Sequence, residues 1–480
     1  MSSELDNSVD EQAARGRPFS MGSVSRFRQP HSVEQSLAPY QVASARAYAR
    51  VLNEKSLISD EVLTKVLSFL AELEEMLSRG ESFLTPEDMD IYSGLERKLD
   101  ENLGPASNIL RMGLSPNDHF ACDIRLWMKD ETLASMQLLL DLRTVVLALA
   151  EAHRDVVMPG YSHMQPASPE LLAHWWLASA SRFARDFRRL ADCFARIDLC
   201  PLGAGAFAGS HQPIDRVKLA EHLGFAGVLE NSLDAVTDRD SVVELSTCAN
   251  LVAVHISQMA TELLLWATQE FGYVRLPRAF SYRTRNFPQK RNPEPLEVLR
   301  SRSAQMTGRL GQFLCELQGI PISYSHDLQE SLPGLLEVME NLRFILELTS
   351  VVLPAMIFDT TRMEERAGVD LANAGNVMDY LIERNFEPDK ASKIVEGLMK
   401  YCRQRSKHFI DLTRGEWQEF SPAFDDEIYR YITASTATEI MDSLGGTAHL
   451  QVDEALRRGR EELGQDRDWL SERSGKKPKS

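Results

Sequence analysis

The chain has 480 residues, of which 43% are hydrophobic and 26% charged, so it is long and apolar enough for two to four domains with a sizeable core. A net charge of -17 excludes a general nucleic-acid binder and favours a soluble protein. The first residues are polar and lack the apolar segment of a secretory signal, and no run approaches 18 uncharged apolar residues. A cytoplasmic protein without contact to a membrane is therefore expected.

Cysteine and histidine usage gives no sign of a metal site. The six cysteines show no CxxC spacing and most lie in apolar helical runs, at Cys122, Cys193, Cys200, Cys248, Cys315 and Cys402. They are typical of small core residues in a reducing compartment. The sequence also lacks a phosphate-binding glycine loop, so no metal and no cofactor are expected.

The N-terminal third divides into an arm and a helical domain. Residues 1–35 are polar with little periodicity, which predicts a flexible arm. In residues 36–112 apolar positions recur at intervals of three and four, which predicts helices. Thr85-Pro86-Glu87 has the form of an N-cap followed by proline, so a further helix is expected from there to about Asn102.

Residues 113–360 form the predicted central domain, and strand signals are nearly absent from them. Five long helical patterns follow one another, at Cys122–His153, Pro169–Arg196, Ser241–Phe271, Pro293–Gln318 and Gly334–Pro354. Several are apolar almost all round, which indicates burial on more than one side. A long all-α bundle extended by helices of other copies explains this pattern. Residues 361–470 predict a separate C-terminal helical domain, and residues 471–480 a disordered basic tail.

A charged, proline-punctuated segment, Arg283–Pro293, interrupts the long helices. It gathers four cations, a hydroxyl and several amides within residues 283–292. Loops held between rigid elements often carry chemistry, so this segment is interpreted as an anion-binding catalytic loop. A solvated basic linker is the alternative.

Four further polar segments lie where long helices join. Gly113–Asp118 precedes the first long helix, Gly160–Pro166 carries a serine and a histidine, Thr237–Asp240 opens the third long helix, and Tyr324–Glu330 is a polar cluster. Short hydroxyl and amide side chains at such places cap helices or bind a carboxylate at a helix start. Taken singly, each segment is explained as a cap, a turn or a structural histidine.

In their order and spacing these segments carry a family resemblance. The motifs are MPGYSHMQPA, PLGAGAFAGS at 201–210, FPQKRNP at 287–293, YSHDLQE at 324–330 and LGGTAH at 444–449. From about Phe27 to Gly446 the chain resembles the argininosuccinate lyase branch of the fumarase/aspartase superfamily. The resemblance implies three mostly helical domains, a homotetramer with a 20-helix core, and active sites shared between subunits.

The resemblance also implies the chemistry. Family members cleave N-substituted aspartate-like substrates by β-elimination and release fumarate and an amine. Removing a weakly acidic C–H beside a carboxylate requires preorganised cations and hydrogen-bond donors. By resemblance the carboxylate is held by Lys290 and Asn292, with further donors at Ser115, Asn117 and Ser162. His163 is a proton-transfer or positioning residue, and the pocket is lined by Arg239, Tyr324 and Gln329.

The chain departs from the family pattern at the site. The position of the family's serine base is Thr284, which keeps a hydroxyl whose pKa the flanking cations Arg283 and Arg285 would lower. A family lysine is replaced by His326. Other replaced family positions are Pro30, Glu34, Tyr92, Leu114 and Pro116. Because helix patterns and glycine joints are intact, we interpret the chain as a retained scaffold with a changed pocket.

Three hypotheses follow. The first is an active lyase with an altered aspartate-like or succinyl substrate, with Arg283 and Arg285 favouring an extra anionic group. The second is argininosuccinate cleavage in arginine biosynthesis. The third is a catalytically silent homo-oligomer with a structural or binding role.

Overall fold

The computed structural model describes residues 31–283, 285–368 and 373–474. Over these residues the chain is predominantly helical with six short strands, which confirms the all-α prediction. Most of the expected N-terminal arm, the proposed base Thr284 and residues 475–480 of the expected tail lie outside the described residues.

The N-terminal helices are α1 (His31–Glu34), α2 (Ala38–Glu54), α3 (Asp60–Ser78) and α4 (Ile91–Leu103), with 3-10 turns at Gln35–Leu37 and Gly104–Arg111. Helix α4 begins six residues after the Thr85 start that was expected. The backbone N–H and the hydroxyl of Thr85 both donate to Asp88, so this stretch forms a turn. The cap is Asp90, whose side chain accepts the N–H of Ser93 at 2.7 Å.

The five long helices are confirmed. The helices of the central region are α5 (Pro116–Ala152), α6 (Leu172–Ile197), α7 (Arg216–Leu223), α8 (Ser232–Thr237), α9 (Asp240–Trp266), α10 (Glu294–Gln318) and α11 (Asp327–Ala355). Helix α5 begins six residues earlier than expected, because Ser115 and Asp118 form a capping box around Pro116. Helix α11 begins seven residues earlier and contains Pro333, which had suggested a later start.

The strands form three two-stranded pairings. Strand β1 (Val157–Ser162) pairs antiparallel with β2 (Gln165–Leu171). The other pairs are β3 (Leu199–Cys200) with β4 (Gly227–Val228), and β5 (Val274–Arg275) with β6 (Ile357–Phe358). The joint expected after α5 is thus a β-hairpin. The prolines in this segment argued against strands, since proline is rare inside strands.

The remaining helices are α12 (Thr360–Gly368), α13 (Ala374–Glu383), α14 (Pro388–Arg405), α15 (Arg414–Phe420), α16 (Ile428–Ile432), α17 (Ala434–Ala437) and α18 (His449–Ser474). Helices α13 to α16 share their own hydrophobic cluster. Helix α18 packs instead on α5 and α6, with Leu456 and Leu463 in the core of the long helices. Arg143 of α5 also pairs with Asp466 at 2.5 Å. The first residues of the expected tail belong to α18, and the domain boundaries stay a prediction.

Two of the long helices, α5 and α9, are long and apolar enough by composition to cross a membrane. Half of each apolar window is buried inside the protein. Helix α5 also carries the buried charged residues Asp123, Arg125 and Arg143. Both helices are therefore core helices of the bundle.

Side-chain contacts fix the directions of the long helices. Arg302 donates to Asn341 at 3.1 Å, and seven residues further along α10 Arg309 pairs with Glu337 of α11. Helices α10 and α11 are therefore antiparallel. The Nε of Arg239, at the start of α9, donates to the carbonyl of Leu328, at the start of α11. Helices α9 and α11 therefore begin at the same end of the bundle.

Candidate active site

The first candidate group surrounds the start of α5. Ser115 accepts the backbone N–H of Asn117 at 3.3 Å, and its own N–H donates to Asp118 at 2.8 Å. The second carboxylate oxygen of Asp118 accepts the N–H groups of Gly203 and Gly205 at 3.0 and 2.9 Å. The buried Asp118 thus joins the helix start to the 201–210 loop.

The capping interpretation of this segment is confirmed for Ser115. The side chain of Asn117 does not cap the helix: its Nδ2 donates to the carbonyl of Ala206 in the 201–210 loop at 3.1 Å. Gly203 and Gly205 have φ of 85° and 67°, a left-handed conformation that side chains disfavour. The glycine-rich PLGAGAFAGS motif is therefore folded tightly against the polar start of α5.

The second candidate group lies beside the starts of α9 and α11. Arg239 is 2% exposed; its Nη1 donates to the carbonyl of Asp238 at 2.7 Å, while its Nη2 is buried without a hydrogen-bond partner. Gln329 donates to the hydroxyl of Tyr324 at 2.8 Å. Burial lowers the pKa of Arg239 to about 10, opposed by Tyr324 and Asp238, so the guanidinium keeps its charge at neutral pH.

Asp90, which the sequence interpretation missed, acts on Tyr324 of this group, and Glu34 lies beside Asp90. Glu34, at a replaced family position, is 8% exposed and its Oε2 has no hydrogen-bond partner. Burial, with Asp90 beside it, raises the pKa of Glu34 to about 7. Asp90 also adds to the raised pKa of Tyr324, whose main cause is burial. The helix-capping pattern Asp-x-x-Ser at residue 90 was the signal that could have revealed Asp90.

The hairpin carries the third candidate group. Ser162 pairs with Gln165 across the turn, and the two turn residues His163 and Met164 have φ of 53° and 59°. Both turn side chains are exposed, and both line a cavity of about 420 Å³ against the last turns of α9. The structure therefore presents His163 on a constrained turn.

The 281–293 loop holds the fourth candidate group. Backbone N–H groups of Tyr282 and Asn292 each donate to the other's carbonyl, at 3.1 and 3.0 Å, and close the loop at its base. Lys290 is exposed, and its N–H donates to the carbonyl of Phe287. Arg283 and Arg285 are exposed as well. The loop thus presents its cations to solvent from a closed base.

His326 stands apart from the buried group. It is exposed and lies 3.6 Å from the carboxylate of Glu330 on the first turns of α11. A histidine pairs by charge only when protonated. The proposed influence of His326 on specificity stays a prediction.

Within one chain these groups lie at two ends of the bundle. Arg239 caps the start of α9, whereas the cavity with His163 reaches Ser257 to Trp266 near its end. Eighteen residues separate Arg239 from Ser257, which at the α-helical rise is about 27 Å. Helix α10 runs opposite to α11, so the 281–293 loop lies at the hairpin end.

The grouping is therefore as follows. One end carries Ser115, Asn117, Arg239, Tyr324 and Gln329, and the other end carries Ser162, His163, Lys290 and Asn292. A single copy does not bring the two sets into one pocket. Over the described ranges 31–283, 285–368 and 373–474, no three Cys, His, Asp or Glu side chains gather as a metal-binding group.

Comparison with known proteins agrees with this architecture. A family model described as lyase matches residues 22–308. Argininosuccinate lyase from Moorella thermoacetica is 36% identical over 440 residues, covering 92% of this chain and 95% of that protein. Argininosuccinate lyase from Synechococcus sp. (strain JA-3-3Ab) is 36% identical over 436 residues, covering 91% and 89%.

Solved structures show the same fold. A variant of EDDS lyase with bound fumarate has a TM-score of 0.85 at 24% identity, covering 92% of this chain and 89% of that one. Class II fumarase from Schistosoma mansoni has a TM-score of 0.70 at 16% identity, covering 85% and 91%.

The helical fold and the polar groups at the bundle ends define a lyase of the fumarase/aspartase superfamily. The matched sequence relatives narrow this further. The chain belongs to the lyase family, in its argininosuccinate lyase branch.

Proposed function

We propose that this chain is a cytoplasmic β-elimination lyase of amino-acid metabolism that releases fumarate or a related unsaturated acid from an aspartate-like or succinyl substrate. Support comes from its 36% identity to argininosuccinate lyases over nine-tenths of the chain. The similarity in fold to an EDDS lyase variant with bound fumarate agrees with it. The substituted pocket favours a specificity that differs from argininosuccinate.

The observation that carries this proposal is the unsatisfied Nη2 of the Arg239 guanidinium. This Nη2 is buried without a partner, and the guanidinium lies within electrostatic range of Tyr324, whose hydroxyl accepts from Gln329. A buried unsatisfied donor is costly, and a charge-assisted hydrogen bond to a carboxylate would satisfy it. A dicarboxylate substrate supplies that acceptor.

The reaction requires the second set of residues as well. In the proposed site Lys290 and Asn292 hold the reacting carboxylate, Ser115, Asn117 and Ser162 supply further donors, and His163 moves or positions a proton. Thr284 first loses its hydroxyl proton to solvent, which the flanking Arg283 and Arg285 favour, and its alkoxide then takes the proton from carbon. Charge on the dianionic intermediate is thereby met by groups that are already oriented.

The two sets meet only if copies of the chain associate. Two antiparallel bundles place the Arg239 end of one copy beside the His163 end of the other. The long helices also expose large apolar side chains that such an association would bury, at Val254, Val298, Leu314, Phe344 and Val351. We therefore propose a homotetramer with shared sites, as typical of this family.

Argininosuccinate cleavage is the second candidate, favoured by the identity of the matched relatives. Against it stand Leu114 and Pro116, where the family has arginines, and the exposed Arg283 and Arg285 beside Thr284. A silent homologue is the third, and it is opposed by the retained Ser162, His163, Lys290 and Asn292.

A substrate panel separates the three. Purified protein is incubated with argininosuccinate, N-substituted aspartates and succinyl compounds, and fumarate is followed by its ultraviolet absorbance. Turnover of panel members other than argininosuccinate, lost in Lys290→Ala, is the expected result. Ordinary turnover of argininosuccinate contradicts altered specificity, and no turnover of any compound favours the silent homologue.

A further inference from the structure

The cavity beneath the hairpin is lined by aromatic and acidic side chains, which do not suit the binding of a substrate carboxylate. It has a volume of about 420 Å³ and lies between the hairpin turn and the last turns of α9. Its apolar wall is formed by Tyr161, Leu265, Trp266 and Phe271, and its polar side includes Glu262 and His163. This volume is sufficient for a small aromatic or branched aliphatic molecule.

One carboxyl group, Glu262, lines the cavity, and a second, Glu170, lies near it. The Oε2 of Glu262 accepts the indole N–H of Trp175 at 2.9 Å. Glu170 lies under the hairpin backbone, since a side chain at Gly160 would come within 3.4 Å of its carboxyl. Burial raises the pKa of Glu262, and it raises the pKa of Glu170 to about 7 with Glu262 adding to the effect.

No described cation neutralises these two carboxyl groups by direct contact. Among residues 31–283, 285–368 and 373–474, no cation opposes the raised pKa of Glu170, and Arg182 alone opposes that of Glu262. Arg182 of α6 is within electrostatic range of Glu262, but its Nη1 donates to Gln258 at 3.2 Å. The cavity thus combines aromatic faces with a carboxyl group whose nearest cation, Arg182, is bonded elsewhere.

We propose that this cavity binds an organic ammonium ion with an apolar or aromatic body, the cation meeting Glu262 and the body packing against Trp266 and Phe271. Aromatic faces attract cations, and the carboxylate supplies the opposite charge. The inference rests on the proposed function in one respect, because the occupant is the amine half that elimination releases. His163 lines this cavity and is also the proposed proton-transfer or positioning residue of the elimination reaction.

The experiment uses benzylamine as probe and benzyl alcohol as its neutral isostere, on the full chain. Intrinsic tryptophan fluorescence reports binding directly, since Trp266 lines the cavity and Trp175 touches Glu262. We expect saturable binding of benzylamine at least tenfold tighter than that of benzyl alcohol. Equal affinity for the two probes, or no saturable binding, overturns the proposal.

Variants keep the test specific. Glu262→Gln retains an acceptor for Trp175 and should reduce the preference for benzylamine to about one. Glu61→Gln on α3, where Glu61 pairs with the exposed Lys65, should leave this preference unchanged. A preference that persists in a folded Glu262→Gln protein, by circular dichroism, overturns the assignment.

Failure here is distinguishable from failure of the proposed function. Fumarate release without benzylamine binding overturns this inference and leaves the lyase standing. Benzylamine binding that Glu262→Gln removes, in a protein that releases no fumarate, supports the cation site and overturns the lyase.

Discussion

Replacing Asp118 with alanine tests the joint between α5 and the 201–210 loop. Its carboxylate accepts three backbone N–H groups, from Ser115, Gly203 and Gly205, at 2.8 to 3.0 Å, and it is fully buried. Burial raises the pKa of Asp118 to about 7, so the group is only partly ionised at neutral pH. Each hydrogen bond then contributes about 1–1.5 kcal/mol, and we expect a loss of about 4 kcal/mol in the free energy of unfolding.

Urea denaturation followed by circular dichroism measures this loss. Asp118→Asn should lie between wild type and Asp118→Ala, because its one amide oxygen can accept from one side only. Asp141→Ala is the matched control, since Asp141 is exposed on the same helix and accepts a hydrogen bond from the exposed Gln137. If Asp118→Ala unfolds within about 1 kcal/mol of the control, the three hydrogen bonds do not hold this loop.

Three further predictions concern charge and the base. Burial raises the pKa of Asp123 well above its ordinary value. Stability should therefore fall as the pH rises from the unfolded pKa of about 3.9 through the folded pKa. Asp123→Asn should flatten this dependence, measured by urea titrations at pH 5 and pH 8. Arg125→Met leaves the half-buried Asp238 without its ion pair and should lower the unfolding free energy by about 3 kcal/mol, whereas a change within about 1 kcal/mol would refute the reasoning. Thr284→Ala should lower kcat by about 10² to 10⁴ and Thr284→Ser should not; equal rates for the two variants would exclude the hydroxyl as base.

The long helices could be predicted from sequence because their apolar periodicity extends over many turns. Helix ends were less certain, since they depend on caps. Pro116 lies inside the capping box of Ser115 and therefore within α5. The hairpin could not be predicted, because Pro159, Pro166 and Pro169 hide it and its turn relies on left-handed His163 and Met164.

The candidate residues could be named from their motifs, but their placement could not. Arg239 and His163 are assigned to one pocket by resemblance, whereas the length and direction of α9 separate them within a chain. Burial of Glu34 beside Asp90 is likewise a tertiary effect, because the two residues lie 56 positions apart. The sequence identifies the chemical group of each side chain, and the tertiary structure determines which side chains lie in the same site.

Mixing two inactive variants tests the shared site most directly. Arg239→Ala removes one end of the site and Lys290→Ala the other, so each protein alone should release almost no fumarate from a substrate that the wild type cleaves. After dissociation and reassembly of an equal mixture, random association places two intact ends together in about a quarter of the sites. About a quarter of wild-type activity is the predicted result. An inactive mixture, with both variants assembled as mixed oligomers by light scattering and mass spectrometry, would contradict a site built from two copies.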